Sequence, residues 1–294
     1  MKKLLLILWS LLSITMVQGQ DDLMKELEQS DKDDVDYAFQ TFKGTRLVNG
    51  HTVETKPKSN LEFIFAHRFG PVNGGLYELF GLDDAQVRIG LDYGITDNLS
   101  ISIARNSVDK TTDGYAKLKL IRQSKGGRNF PFTITTLLGT GYRPFYRDDD
   151  RPEGFKNVHR LAYVTQLLIA RKFTTNVSFQ LMPTLVHRNI VYKSFEENDQ
   201  LALGLGARVK VTKSVALTSE YYYRLNTPAG DRNRNTLGLG VDIETGGHVF
   251  QLVMTNTRGL TERAFIAETT GDFADGDIQF GFNVTRTFQL KHKK

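Results

Sequence analysis

No cysteine occurs anywhere in the 294 residues. That excludes a disulfide framework, thiolate metal sites, a thiol nucleophile and a lipid-anchored N-terminal cysteine. Proline is scarce, at 7 residues against 26 glycines, so extended runs are seldom interrupted. Long apolar runs are missing too. The longest, Leu4 to Val17 behind Lys2 and Lys3, has about 14 apolar residues where a spanning helix needs ~20. With Gly19 and the acidic Asp21-Asp22 after it, this start reads as a secretory signal peptide over residues 1–20. One-sided charge is also absent. The chain carries 38 basic and 33 acidic residues, and Lys2 and Lys3 leave with the leader, so the remaining balance gives no case for nucleic acid.

What the chain has in abundance is alternation with a period of two, the signature of a strand with one apolar and one polar face. In "IQFGFNVTRTFQL" Ile278, Phe280, Phe282, Val284, Phe288 and Leu290 alternate with polar or small residues. In "VRIGLDY" Val87, Ile89, Leu91 and Tyr93 do the same. Twelve such runs are expected near residues 60–68, 86–94, 98–106, 114–122, 131–142, 159–171, 176–188, 200–210, 214–224, 235–244, 247–257 and 277–290. Pro183 falls inside one of them and weakens it.

The connections alternate in length. Short ones ("ITDN", "KFTTN", "VTKS", "TGG") interleave with long ones ("FGPVNGGLYELFGLDDA", "RPFYRDDDRPEGFKN", "RGLTERAFIAETTGDFAD"). This predicts an all-β fold: a transmembrane up-and-down antiparallel β-barrel of about 12 strands, with short turns at the periplasmic end and long loops outside. Tyr142, Tyr163, Tyr221 and Tyr223 fall near the long-loop end and Tyr93, Phe132 and Phe288 near the other, as two aromatic girdles would. A soluble sandwich or barrel would share the alternation, but strands near the 9–11 residues of membrane barrels favour lipid. The expected organisation is a signal peptide at 1–20, a periplasmic N-terminal segment at 21–59, and the barrel at 60–294. Residues 42–58, with a hairpin signal at Asn49-Gly50, or the long first loop, are candidates to plug the lumen.

Residues 67–105, "HRFGPVNGGLYELFGLDDAQVRIGLDYGITDNLSISIAR", resemble a family of Bacteroidetes outer-membrane β-barrel proteins known only as a domain of unknown function. The shared words are His67-Arg68-Phe69-Gly70, Glu78 to Asp83, and Asp92-Tyr93-Gly94 leading into Thr96-Asp97, and the resemblance runs from about Phe42 to the C-terminus. It implies the barrel fold and an outer-membrane location, and no activity, substrate or catalytic residue.

The polar strand faces carry charges that cannot face hydrocarbon cheaply, at ~2–4 kcal/mol for a basic residue near the midplane. They therefore mark the lumen. Arg68, Arg88, Arg188 and Arg224 gather toward the long-loop mouth, Lys117 and Lys119 lie on one inner face, and Asp92, Glu220 and Asp242 are the acidic lumen candidates. Two readings follow: a passage or binding site for small polar, anionic solutes, or cross-lumen ion pairs that stiffen the wall or meet lipopolysaccharide phosphates. A surface barrel whose outer loops bind a partner is the rival function. His67, His159 and His187 map near the outer rim, but no G-x-S-x-G or lipase-like spacing accompanies them, so no enzyme is expected. "RDDDR" lacks a calcium-loop spacing, and no cofactor is implied. The expected surroundings are outer-membrane lipid and lipopolysaccharide.

Overall fold

The computed structural model describes residues 34–144, 154–191 and 196–290. The signal peptide and the Asp148 to Asp150 run lie outside these residues.

Twelve strands close into one antiparallel barrel: β1 (Asn60–Pro71), β2 (Ala85–Gly94), β3 (Leu99–Asn106), β4 (Thr112–Ile121), β5 (Thr133–Tyr142), β6 (Leu161–Lys172), β7 (Val177–Arg188), β8 (Asp199–Lys210), β9 (Val215–Arg224), β10 (Thr236–Thr245), β11 (His248–Thr255) and β12 (Gln279–Gln289). Each pairs with its sequence neighbour, and β12 returns to β1 with a register shift between Gln279 and Gly281. Every boundary falls within three residues of the sequence expectation. The reason is that a closed barrel gives each strand one lumen-facing and one lipid-facing side, so periodicity carries nearly all the information. Pro183 is accommodated by a local opening. It pairs with Leu203 of β8, while the β6–β7 ladder lapses between Gln166↔Thr184 and Ile169↔Leu181, where a residue without an N–H does least harm.

The outward faces carry an exposed apolar belt that includes Ile103, Leu138, Leu205, Leu217, Leu252 and Phe280. A continuous apolar surface of this extent in a closed barrel is a lipid-facing band. Among the described residues no helix is long and apolar enough to cross a membrane; the strands make the crossing.

The inward faces differ from expectation on one side. Between β5 and β9 they carry an apolar patch among the polar residues: Leu137, Val164, Leu168, Met182 and Tyr222 are buried and belong to one cluster. The run "LAYVTQLLIA" of β6 is apolar on both faces, which is how a strand reads when both faces are covered. Something inside the barrel must therefore cover this wall.

A second compact unit gathers described residues 34–39 and 122–131. In it Val35–Tyr37 pairs antiparallel with Ser124–Gly126, and the Arg122 guanidinium stands 4.5 Å from the centre of the Tyr37 ring.

A charge placed on the lipid belt tests which face meets hydrocarbon. Leu205→Arg, in the middle of β8, is expected to destabilise the barrel refolded into vesicles by ~2–4 kcal/mol in denaturant titrations. A soluble barrel would lose less than about 0.5 kcal/mol for a surface change of this kind.

Candidate functional site

The covering element is the stretch just ahead of β1. Arg46 and His51 form an antiparallel bridge, Leu47 N–H donates to Gly50 O at 2.8 Å, and Thr52 N–H donates to Thr45 O at 3.0 Å. The result is a hairpin with Val48-Asn49 at its tip, one residue earlier than the Asn49-Gly50 signal implied. None of Val48, Asn49 and Gly50 has a left-handed φ. Gly50 is needed for another reason: a Cβ there would lie 2.0 Å from the Tyr222 hydroxyl and 3.2 Å from Glu220 Oε2. The hairpin is seated so deep that Phe42, Leu47, Val48, His51 and Val53 are almost wholly buried. Phe42, Leu47 and Val53 share one apolar cluster with Leu137, Leu168, Met182 and Tyr222, and so complete the core that the apolar wall requires.

The wall holds the hairpin mainly by its backbone. Glu220 accepts three consecutive N–H groups, from Val48 (3.2 Å), Asn49 (2.8 Å) and Gly50 (2.9 Å). Lys117 Nζ donates to the carbonyls of Thr45, Thr52 and Glu54 at 3.1, 3.1 and 3.2 Å, spanning both legs. Arg68 donates to Val48 O and to Asn49 Oδ1. Gln180 donates to His51 O and accepts from Val53 N–H, while Gln251 and Asn283 donate to Leu47 O and Val48 O.

Side-chain contacts reinforce the two ends. Near the foot, Lys56 Nζ meets Glu62 at 2.5 Å, and the Thr45 hydroxyl donates to Glu62 and Asp92. Farther in, Glu262 receives Arg46 and lies 3.0 Å from His51 Nε2. Glu262 belongs to the β11–β12 loop, which folds inward so that Ala264 to Ala267 of a short π-helix (Arg263–Ala267) are buried; Phe265 rests 5.3 Å from the Tyr222 ring centre. Hairpin and loop thus meet inside the barrel.

The other sequence candidates are buried and partnered. Arg88 pairs with Asp113 at 2.5 Å, Arg224 with Asp231 at 2.5 Å, and Arg188 with Glu196 and Glu268. Lys119 reaches Glu54 of the hairpin at 3.3 Å. Asp92 accepts from the Tyr115 hydroxyl, and Asp242 accepts from Gln251 at 2.5 Å. The gap left beside the hairpin, lined by Arg46, Arg68, Arg88, Asp242 and Gln251, measures about 40 Å³, room for roughly one or two waters. A larger hollow of about 320 Å³ lies among the long loops, bordered by Asp109, Asn256, Arg258, Glu268 and Asp277.

Sequence reasoning missed Gln180, Gln251, Asn283, His51 and Glu262. The inward Gln and Asn look like ordinary lumen polarity, and only the apolar "RAFIA" inside a nominally exposed loop hinted that this loop turns inward. The rim histidines do not assemble a catalytic group. His187 Nδ1 lies 2.6 Å from Asp199 Oδ1 and stacks on Tyr163, His159 accepts from Lys156 N–H, and His67 stacks on Phe282. Among the described residues none of the three is bonded to a Ser or Thr hydroxyl, the pairing a nucleophile and base would need. No group of three or more potential metal ligands occurs among them either.

A family model described as a membrane bound beta barrel domain, DUF5777, matches residues 42–288. The chain belongs to this family. The match begins at Phe42, so it takes in the hairpin as well as the wall. With its lipid belt and closed strands, this barrel is an outer-membrane protein. No curated protein matches the sequence. Among solved structures the chain is similar to the KdgM porin (TM-score 0.48, 10% identity, covering 78% of this chain and 99% of the other). It is similar also to the COG4313 outer membrane channel from Pseudomonas putida F1 (0.49, 13%, 80% and 98%) and to outer membrane phospholipase A from Escherichia coli (0.43, 11%, 80% and 91%).

Two outcomes follow from this geometry. Glu220→Gln removes the charge from three N–H···O bonds, so undocking of the hairpin is expected to become ~10- to 100-fold more favourable, the equivalent of ~1.5–3 kcal/mol for a charge-assisted contact. Native-state hydrogen exchange at the Val48 to Val53 amides reads this directly.

The second outcome concerns acid. Burial, with Arg46 and Lys117 nearby, pushes the His51 imidazole down to about 3. Burial would raise the Glu262 carboxyl, but Arg46 and His51 override it and hold the group well below the usual carboxylate range. A released His51 takes up a proton near pH ~6.5, whereas the docked one does not. Docking is therefore fully stable above pH ~6.5 and weakens as the pH falls toward 3, by up to about tenfold per unit. Glu262 adds to the loss below pH ~4.3. Exchange at the hairpin amides, corrected for intrinsic rates, is expected to show this slope, and His51→Asn to flatten its part above pH ~4.5.

Proposed function

We propose that this protein is a plugged outer-membrane pore for small polar solutes, in which residues 21–59 form the periplasmic segment and its hairpin is the plug. The observation that carries this reading is that the interior of a twelve-stranded barrel is filled by a segment outside the wall, held by polar bonds that water or a solute can replace. A barrel needing only stiffness would fill its lumen with wall side chains, as eight-stranded barrels do. With the hairpin out, Lys117 loses its three carbonyls, Arg68 two of its four acceptors and Lys119 its partner Glu54, while Glu220, Glu62 and Glu262 lose their hairpin partners. Arg88, Arg188 and Arg224 stay paired with carboxylates. Freed cations and freed carboxylates nearly balance, so the anion preference of the open state is slight and rests on Arg68, Lys117 and Lys119. The first long loop supports a second reading, a barrel that binds a partner outside, because Leu76, Tyr77, Leu79, Phe80 and Leu82 are all more than half exposed. Lipopolysaccharide at the outer rim, and the Bacteroidetes affinity suggested by residues 67–105, belong to the same proposal. No catalytic role is part of it.

Planar-bilayer recording of the refolded full chain tests the pore. The unaltered protein is expected to be nearly silent. Gly50→Val, whose side chain collides with Tyr222 and Glu220, is expected to open stable conductance steps, with anion selectivity that falls in Gly50→Val/Lys117→Met. Silence from both the unaltered chain and Gly50→Val sinks the pore and turns attention to the outer loops.

A further inference from the structure

We infer that the lumen is a binding site for the backbone of a peptide β-turn, and that the hairpin is its resident occupant. The inference deepens the plugged-pore reading and rests on it. The inner wall reads main-chain groups that any two-legged turn presents, whatever its side chains. Glu220 takes three successive N–H groups, a concave arrangement that backbone amides offer to any anion. Lys117 takes three carbonyls, and Gln180 takes a carbonyl and an N–H two residues apart. Recognition through the main chain, with separate pockets for side chains, holds a peptide without a fixed sequence.

The pocket is present as well. Leu137, Leu168 and Met182 form an apolar wall that now receives Leu47 and Val53. Gly206 leaves the space that Leu47 fills, since a Cβ there would lie 2.4 Å from Leu47 Cδ1. Once the hairpin leaves, these polar groups are aimed inward without their main-chain partners, and buried donors and acceptors left unmade are costly. Water can satisfy the charges but cannot fill the apolar wall. A peptide with an aliphatic residue near its middle does both. A sugar supplies hydroxyls but no aliphatic side chain, and an inorganic anion supplies no donor for Glu220.

The test uses full-length Gly50→Val in detergent micelles and fluorescein-labelled peptides read by anisotropy. Three peptides, each cyclised to hold the turn, are compared: residues 42–57, the same peptide with all residues except Leu47 to Gly50 and Val53 scrambled, and the native sequence N-methylated at Val48, Asn49 and Gly50. The native peptide is expected to bind Gly50→Val at least about 30-fold more tightly than it binds the unaltered chain, whose site is occupied. Scrambling is expected to cost less than about tenfold, and N-methylation at least about tenfold. Binding of the native peptide without the scrambled one overturns the inference, because the wall would then read the hairpin's own side chains; absence of binding by either overturns it too. Should Gly50→Val not fold, judged by heat-dependent gel migration, Leu47→Asp loosens the same hairpin and leaves the wall intact. Conductance of the same variant separates the two ideas: current without peptide binding keeps the pore and discards the peptide site, whereas peptide binding without current discards the pore alone.

Discussion

A carboxylate buried inside a membrane barrel has to find donors, and Glu220 finds them in three adjacent backbone amides at the tip of the hairpin. An isolated buried charge costs several kcal/mol. Its stabilisation therefore sets where the hairpin sits, and the hairpin in turn decides whether the lumen is filled. The dependence is mutual. Val48, Asn49 and Gly50 lie in a turn, where strand pairing gives their N–H groups no partner, so they too would be unmade bonds without Glu220. Lys117 and Arg68 extend the same logic to the carbonyls. These three wall charges are met by dipoles of an element that is not part of the wall, which makes the closed state cohesive without any strand ladder between hairpin and wall.

The apolar patch of the lumen wall gives the hairpin its orientation. Charge alone would accept several placements, because dipoles can turn to meet it. Leu47 and Val53 have only one place to go, the wall of Leu137, Leu168 and Met182, and the close approach of Gly50 to Tyr222 fixes the depth. Burial of these side chains is worth ~1.5–3 kcal/mol each when complete, comparable to a charge-assisted bond. The π-helical turn that brings Phe265 against Tyr222 seals the same core from the loop side.

The wall was legible in the sequence because lipid and lumen impose opposite demands on alternate residues, and a period of two reports both. Strand number, order and the inward direction of Arg88, Lys117 and Glu220 all follow from that one constraint. What these residues bond to was not legible. Periodicity gives the side of the wall a residue faces, and it says nothing about a partner 170 positions away, as for Gly50 and Glu220. Two local signals did point inward: the doubly apolar face of β6, and "RAFIA" in a loop that needs no apolar run. The hairpin signal at Asn49-Gly50 was sound, but its tip moved by one residue because the glycine answers to the close approach of Tyr222 and not to a left-handed turn.

The two legs of the hairpin are tied unequally, and this shapes how the lumen could empty. The second leg runs straight into β1. Ser59 N–H donates to Gly94 O at 2.9 Å, Leu290 N–H donates to Ser59 O at 3.0 Å, and a Cβ at Gly94 would lie 2.1 Å from Pro57 O, so this leg is pressed against the rim of the barrel. The first leg is held near its start by Phe42 N–H on Glu54, a contact within the hairpin itself. It is also tied by ion pairs, Lys43 with Glu244 of β10 at 3.7 Å and Arg46 with Glu262 at 3.0 Å. To these the tip adds its three bonds to Glu220, so opening must part a single buried carboxylate from three amides.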